Sequence, residues 1–371
     1  MQLAVFVLSI LFLLLLLREA KQARAARSSL QHVVHVNGTR GKSTVSRLIE
    51  AGLRAGGYRV FCKTTGTVPM TIDVAGVEEP VIRRGKANIK EQVHILRKAH
   101  AQNAQVLVIE CMAVQPELQY AAQHQILRAD IGVITNVRRD HTDVMGSTLE
   151  DICDALSNTI PRNGLLFTGE QHLLGQLQEH CKRLSCTLVP SYPDGSEPEL
   201  DFPENLSLAL AVCMHLGVAR ETALQGMRQF QPDPYALSMY QMGGDLFING
   251  LSINDIESTC LVYERLNERL ALNNRPLVLL INNRSDRGSR TEDMLEVAVR
   301  LAPNTVWLLG AHQSFVTRSL RRRLPGSTVQ SMKSANDLSF TGARTIFAVG
   351  NIADEGKALM ARVQQEGKKL V

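Results

Sequence analysis

The chain has 371 residues, of which 44% are hydrophobic and 21% are charged, so it has room for two or three domains with substantial cores. The formal net charge of +5 is mild and partly local, which does not favour a nucleic-acid-binding protein. Seven cysteines are scattered without a CxxC pair, a pattern typical of reduced, packed thiols rather than of a disulfide framework or a zinc site.

An apolar segment opens the chain. Fifteen of the first seventeen residues are apolar, and four basic residues follow between positions 18 and 27. A helix of this length measures about 25 Å, slightly short of a bilayer core. Because the charges come after the apolar run, the pattern predicts a transmembrane anchor over 1–17 and a basic juxtamembrane linker over 18–31, with the rest in the cytoplasm. A cleaved signal peptide is the alternative, although it normally carries its positive charge first.

The next segments alternate between strand-like and helix-like patterns. Strand-like runs cover 32–38, 58–66, 104–113 and 129–137, and helical spacing covers 43–55 and 92–102. The continuous apolar character of "VLVIE" and "IGVIT" is typical of strands buried in a parallel sheet. The alternation therefore predicts an α/β fold with a doubly wound sheet, whose ligands bind at the carboxyl ends of the strands.

A break in this pattern divides the chain. A loop-like stretch rich in proline and acidic residues, 190–205, precedes a helix over 206–216 and then the irregular segment "QFQPDPYALSMYQMGGDLFING". Three further strand-like runs follow it: "PLVLLINNRSDRG", "NTVWLLG" and "ARTIFAVGN". We therefore predict a doubly wound central domain over 32–235 and a smaller, Rossmann-like α/β domain over 236–371.

A glycine-rich turn, "NGTRGKST", joins the first strand to the first helix. Its backbone N–H groups and the helix N-terminus can surround a phosphate, with Lys42 reaching the β- and γ-phosphates and the Ser43 hydroxyl binding Mg²⁺. The pattern G-x-x-G-K-S is shorter than the usual phosphate loop, which has a glycine where Val36 stands. A chance Gly-Lys-Ser at a helix start is the alternative, but the flanking strand and helix favour a nucleotide site.

Acidic and imidazole side chains follow two other predicted strands. Glu110 ends "VLVIE", and Asn136, Asp140, His141 and Asp143 follow "IGVIT". Carboxylate oxygen is a natural ligand of Mg²⁺. Taken singly, Glu110 fits a salt-bridged acid at a strand end and His141 fits a packed histidine. Together, however, the three strand ends favour a shared nucleotide and metal site: the first carries Lys42 and Ser43, the second Glu110, and the third Asp140 and His141.

These motifs resemble the ATP-binding domain of the Mur ligase superfamily, which includes the muramyl peptide ligases and folylpolyglutamate synthase. The stretches "HVNGTRGKSTVSRLI", "KTTGTVP" and "ITNVRRDHTDVMG" are especially similar to the PgsB/CapB family of poly-γ-glutamate synthase subunits. Arg40 belongs to this narrower match, since the muramyl ligases more often carry Asn there. The resemblance covers essentially the whole chain and is densest over 32–146.

The resemblance implies an ATP-dependent acid–amino-acid ligase that polymerises glutamate through γ-linkages at the cytoplasmic face of the membrane. A glutamate carboxylate would attack the γ-phosphate of ATP to give an acyl phosphate, from which the amine of another glutamate would displace phosphate. The implied catalytic residues are Lys42, Glu110 and His141. The implied cofactors are ATP and two Mg²⁺ ions, with Mn²⁺ as a substitute, and the implied metal ligands are Ser43, Glu110 and His141.

Further site residues follow from the resemblance. The implied ATP-binding residues are Gly38, Thr39, Arg40, Gly41, Lys42, Ser43, Thr44, Asn205, Arg284 and Asp286. The substrate candidates are Thr64, Thr65, Asn254, Asp255, Arg287 and Arg290. Arginine suits this chemistry because its guanidinium fork binds carboxylate and phosphate bidentately. A solvated polar turn over 284–290 and a plain strand-to-turn connection over 63–69 are the alternatives. "VGNIADEGKAL" departs from the family's glycine-rich ending, so no role is assigned to Gly350 and Asn351.

The implied partners are glutamate and the growing polyglutamate, the membrane, and small membrane subunits of a synthase complex, without nucleic acid. Two other functions stay open: a ligase for a cell-wall or folate precursor, and a membrane ATPase component that drives transport or assembly. The sequence leaves open the configuration of the glutamate, the polymer length and the oligomeric state. Some superfamily members use a carbamylated lysine, for which the sequence identifies no counterpart.

Overall fold

In the computed structural model the chain divides into two compact units, Met1–Asp233 and Pro234–Val371. The structure describes residues 2–66, 68–83, 85, 87–197, 202–253, 255–285 and 288–370. Each unit has its own β-sheet, with helices packed against it. The predicted α/β class is therefore confirmed, in the form of two mixed sheets.

Helix α1, Gln2–Ser28, opens the first unit and includes most of the basic segment that was predicted as a linker. Ala26 of this helix packs into the core, whereas earlier apolar side chains such as Phe6 and Phe12 are exposed. Among the described residues, no helix combines the length and the apolar character needed to span a bilayer, so the predicted transmembrane anchor is not supported.

The sheet of the first unit has eight strands in the order β4-β3-β2-β5-β1-β6-β7-β8. They are β1 (His32–Asn37), β2 (Val60–Lys63), β3 (Met70–Ile72), β4 (Glu78–Pro80), β5 (Val106–Glu110), β6 (Ile131–Ile134), β7 (Leu165–Thr168) and β8 (Thr187–Pro190). Strands β2, β5, β1, β6, β7 and β8 are parallel. Strands β3 and β4 extend one edge antiparallel, a feature that the apolar pattern did not predict.

Helices cover both faces of this sheet. They are α2 (Lys42–Ala55), α3 (Glu91–Ala101), α4 (Pro116–Tyr120), which continues into a π-helix (Ala121–Leu127), α5 (Thr142–Met145), α6 (Leu149–Ser157), α7 (Leu174–Arg183), α8 (Pro203–His215) and α9 (Arg220–Met227). Val34 of β1 belongs to the core cluster that contains Leu48 of α2, whereas Val33 belongs to the cluster that contains Ile95 of α3. Because successive side chains of a strand point to opposite faces, both faces bury apolar surface, as a doubly wound sheet requires.

The second unit has a seven-stranded sheet in the order β13-β12-β11-β14-β10-β9-β15. Its strands are β9 (Ser238–Met242), β10 (Asp245–Asn249), β11 (Leu277–Asn283), β12 (Thr305–Gly310), β13 (Thr328–Ser331), β14 (Thr345–Gly350) and β15 (Lys368–Lys369), and its helices are α10 (Ile256–Leu270), α11 (Gly288–Leu301), α12 (Gln313–Arg323) and α13 (Glu355–Glu366). The strands from β13 to β10 are parallel, and β9 and β15 are antiparallel. The buried carboxylate of Asp245 accepts hydrogen bonds from Nε and NH2 of Arg344 at 3.0 and 2.8 Å.

Candidate nucleotide and substrate site

The predicted phosphate loop is the turn between β1 and α2 of the first unit, and Lys42 is the first residue of α2. Gly38 and Gly41 have φ angles of +124° and +80°, in the region that favours glycine. A Cβ on Gly38 would collide with the Thr135 side chain, and one on Gly41 would collide with the Asn205 side chain. Close backbone packing therefore fixes the loop, and it places Asn205 directly beside it.

The residues after β6 hold the loop from one side. The Thr135 hydroxyl donates to the Arg40 carbonyl at 2.6 Å, and the Asn136 side-chain oxygen accepts from the Arg40 N–H at 3.0 Å. The Thr39 N–H donates to the Asn136 carbonyl at 3.0 Å. Arg40 also forms an ion pair with Asp140, with 3.4 Å between NH1 and Oδ2. The loop is thus ordered by its own protein contacts, which suits a preformed anion site.

Lys42 extends back over the loop. Its Nζ donates to the carbonyl oxygens of Gly38 at 2.7 Å and Thr39 at 3.1 Å. Burial lowers the pKa of Lys42 from its ordinary value, and the charge of Glu110 opposes that change. The ammonium group is therefore positioned at the loop by two weak acceptors, which an anionic phosphate can replace.

Glu110, the last residue of β5, is buried beside this loop. Its Oε2 accepts hydrogen bonds from the Ser43 hydroxyl at 2.8 Å and from the Thr65 N–H at 2.6 Å. Thr64 is buried in the same segment after β2, and Thr44 follows Ser43 in the first turn of α2. The ends of strands β1, β2 and β5 are thereby brought together, whereas the sequence prediction had combined the ends of β1 and β5 with that of β6.

These donors fit a magnesium ion. Ser43 Oγ and Glu110 Oε2 are 2.8 Å apart, and two neighbouring oxygens of an octahedral Mg²⁺ site are separated by about 3 Å. Within the described part of the chain, no group of three or more His, Cys, Asp and Glu side chains is arranged to hold a metal. The donor set therefore suits an ion that takes its remaining ligands from nucleotide phosphates and water.

His141, the third predicted metal ligand, is the N-cap residue of α5 and has a φ of +48°. Its Nε2 is 3.9 Å from the Asp140 carboxylate. Its side chain lines a cavity of about 380 Å³, together with mostly apolar residues that include Ile89, Met112 and Leu118. A non-glycine residue in the left-handed region is uncommon and occurs at sites under functional constraint. The imidazole thus faces space of the size that a small substrate needs.

The sequence-based prediction missed an ionic cluster around Arg47 of α2. The Arg47 side chain is fully buried, and its NH2 forms ion pairs with Glu78 and with Asp233, the latter at 3.4 Å. Its NH1 donates to the Gln231 carbonyl at 3.0 Å. Burial raises the pKa of Asp233 to about 6, although the charge of Arg47 opposes the rise. Helical spacing gives no signal for this cluster, because Arg47 lies on the face of α2 opposite its apolar stripe of Val45, Leu48 and Ile49.

Asp233 reaches the loop that holds Glu110. A Cβ on Gly66 would collide with Asp233 Oδ2 and would lie 3.2 Å from Ser43 Oγ. Both oxygens lie near the position that a Cβ would occupy, so glycine at position 66 leaves them room beside this loop.

The second unit has a small polar crevice where the strand order reverses, between the carboxyl ends of β11 and β14. Arg284 and Arg290 line it together with Asn282, Gly350 and Asn351. The Oδ1 atom of Asn282 is buried and has no hydrogen-bond partner among the described residues. Such a switch point is the usual ligand position in open α/β sheets. Gly350 and Asn351, which received no role from the sequence, thus belong to this crevice.

The other predicted residues of the second unit are placed as follows. Asp255 is the N-cap of α10, and its Oδ1 accepts from the Ser258 N–H at 2.8 Å, so it has a structural task. Asn254, Asp286 and Arg287 lie outside the described residues.

Comparisons with known proteins show a similar fold and identify the family. The fold is similar to that of Mycobacterium tuberculosis folylpolyglutamate synthase complexed with ADP, with a TM-score of 0.69 and 14% sequence identity over 93% of this chain and 94% of that one. Residues 36–171 match the family model "Mur ligase middle domain", and residues 236–366 match "Poly-gamma-glutamate synthase CapB C-terminal domain".

Two curated proteins are similar along most of their length. The capsule biosynthesis protein CapB of Bacillus anthracis is 34% identical in an alignment that covers 90% of this chain and 77% of that protein. The PGA synthase CapB of Bacillus subtilis (strain 168) is 32% identical in an alignment that covers 89% of each chain. The chain therefore belongs to the CapB family of poly-γ-glutamate synthases, within the Mur ligase fold.

Proposed function

We propose that this protein is an ATP-dependent amide ligase that polymerises glutamate through γ-linkages. The observation that carries the proposal is the cluster at the carboxyl edge of the first sheet, where Lys42, Ser43 and Glu110 meet around an ordered glycine turn. Membership of the CapB family supplies the substrate class, because one relative is a PGA synthase. The structural neighbour complexed with ADP supports ATP as the nucleotide.

In the first step the loop binds ATP. The backbone N–H groups of residues 41–43, at the start of α2, receive the phosphates, and Lys42 exchanges its two carbonyl contacts for phosphate oxygens. Ser43 and Glu110 would hold one Mg²⁺, and Glu110 and His141 would help to hold a second. Bound Mg²⁺ neutralises the charge that develops on the transferring phosphoryl group. Lys42 adds to this stabilisation because its ammonium group is fixed before the reaction begins.

In the second step the γ-carboxylate of one glutamate attacks the γ-phosphate, which gives an acyl phosphate and ADP. The amine of the next glutamate, after losing a proton, attacks the acyl carbon, and the tetrahedral intermediate expels phosphate to leave an amide. Arg290 suits binding of the free carboxylates of the substrates. Thr64, Thr65, Asn254, Asp255 and Arg287 are proposed as further substrate contacts, and Asn205, Arg284 and Asp286 as nucleotide contacts.

The domains are proposed to divide this work, with ATP bound by 32–235 and glutamate bound with help from 236–371. The exposed apolar side chains of α1 support contact with an apolar surface, such as small membrane subunits of a synthase complex. Co-purification of such subunits with the full chain, and its loss when Phe6 and Phe12 are replaced by serine, would test this association.

The function is tested by phosphate release from ATP and Mg²⁺ with and without glutamate, with the polymer followed on a gel. Glutamate-stimulated release together with a growing anionic polymer is the expected result, and Lys42→Ala is the inactive control. Release that is indifferent to glutamate, without polymer, would contradict the ligase proposal and favour an ATPase. Stimulation by a different carboxylate instead of glutamate would assign another acceptor.

A further inference from the structure

Three oxygen atoms surround Gly66 in the first unit. Ser43 Oγ would lie 3.2 Å from a Cβ on this glycine, Asp233 Oδ2 would collide with that Cβ, and Glu110 Oε2 accepts from the N–H of the preceding residue, Thr65. Two of these oxygens, on Ser43 and Glu110, form the donor pair that fits Mg²⁺. Asp233 therefore brings a second carboxylate to the cation site.

The placement of this carboxylate is enforced by buried partners. The Asp233 side chain is 17% exposed, and the fully buried Arg47 holds one of its oxygens, Oδ1, at 3.4 Å. The other oxygen, Oδ2, is the one beside Gly66. One oxygen is thus used for anchoring, and the other is presented toward Ser43.

The charge balance of the cluster also favours a cation. Arg47 is shared by the carboxylates of Glu78 and Asp233, and Glu110 adds a third negative charge close enough to raise the pKa of Asp233. Arg47 and Lys42, whose charge interacts with that of Glu110, supply two positive charges against these three carboxylates. A divalent ion would relieve the remaining repulsion.

We propose that Asp233 completes the anionic side of the cation site, as an acceptor for water molecules that the bound Mg²⁺ retains, and that Arg47 is the residue that positions it. Mg²⁺ releases its water reluctantly and is usually held by one or two carboxylates, so an outer carboxylate is a natural complement to Glu110. Partners of this outer kind typically change metal affinity by 10–100-fold. This inference rests on the proposed function only for the identity of the nucleotide.

The test is Mn²⁺ binding, followed by electron paramagnetic resonance, to the full chain in the presence of saturating ADP. Asp233→Asn is expected to raise the Kd for Mn²⁺ about tenfold. Glu78→Gln is the matched control, because it removes the other carboxylate on Arg47 without touching the Gly66 position, and its Kd should change less than about twofold. ADP affinity in EDTA should be the same in both variants, which separates the metal from the nucleotide.

Two outcomes would overturn the proposal. One is an unchanged Kd for Mn²⁺ in Asp233→Asn, and the other is an equal loss in Glu78→Gln, which would mean that the Arg47 cluster is structural only. Gly66→Ala provides a second variant in case Asp233→Asn folds poorly, because its methyl group displaces Asp233 Oδ2 and should weaken Mn²⁺ binding similarly. Since none of these measurements uses glutamate, failure of the ligase proposal would leave their result standing.

Discussion

His35, in the centre of β1, should make the protein sensitive to mild acid. Its ring is fully buried, and its Nδ1 is 2.8 Å from the Gln123 side-chain oxygen. Burial lowers the pKa of His35 from 6.5 to about 4, the positive charges of Lys63 and His124 add to the decrease, and the Gln123 hydrogen bond opposes it. The folded protein therefore keeps this ring neutral at pH values where the unfolded chain is protonated.

The sign and size follow from this difference. A depressed pKa contributes stability that is fully present above the unfolded value of about 6.5 and is lost as pH falls toward 4. One pKa unit corresponds to about 1.4 kcal/mol, so the total is about 3 kcal/mol. Between pH 7 and pH 5, His35 alone should lower the free energy of unfolding by about 2 kcal/mol.

Urea unfolding followed by circular dichroism at pH 7 and pH 5 measures this effect. His35→Gln keeps a hydrogen-bonding side chain but removes the titration, so its loss of stability between the two pH values should be about 2 kcal/mol smaller than that of the unmodified protein. His94→Gln, at an exposed position of α3, is the matched control. Equal pH dependence in all three proteins, or a His35 ring that titrates near 6.5 by NMR, would refute the reasoning.

Three further changes test the site and the second unit. Lys42→Ala should abolish phosphate release while the unfolding midpoint stays nearly unchanged, and residual turnover would remove Lys42 from catalysis. Gly38→Ala should weaken ADP binding at least about tenfold in a fluorescence titration, because the new Cβ collides with Thr135. Gly57→Ala is the control, since Gly57 also has a positive φ but faces open space, and it should leave ADP affinity unchanged. Asp245→Asn should destabilise the second unit by about 2 kcal/mol, because Arg344 loses its buried charged partner. The fluorescence of Trp307, whose ring centroid lies 5.0 Å from the Arg344 guanidinium, reports the unfolding. An unchanged unfolding midpoint would contradict this prediction.

The phosphate loop and Glu110 were predictable because their signals are local. One signal is a glycine turn between an apolar strand and a helix, and the other is an acidic residue at the end of a second apolar strand. The two meet because the carboxyl ends of parallel strands lie at the same edge of a sheet. The observed hydrogen bond between Ser43 and Glu110 follows from that geometry. Asn205, by contrast, came only from the family resemblance, because its approach to Gly41 joins segments far apart in the chain.

Other features could not be predicted for physical reasons. Asp233 meets Arg47 across 186 positions of sequence, and it lies in a segment whose pattern indicated only a break between domains. Strands β3 and β4 have three residues each, which is too short for a periodic pattern. The anchor prediction depended on apolar composition alone, and among the described residues no helix combines the length and the apolar character of a membrane span.

All seven cysteines of the chain are buried and unpaired. Burial raises the pKa of Cys111 to about 11 and that of Cys153 to about 12, so very little of these two thiols is ionised at neutral pH, whereas a hydrogen bond with Cys186 lowers the pKa of Cys181. Because all seven thiols are buried, maleimides should react with them only when the native structure opens. The rate of labelling therefore measures the rate of local unfolding. A single cysteine introduced at exposed Ser147 would take up a fluorophore selectively, without removal of any native thiol.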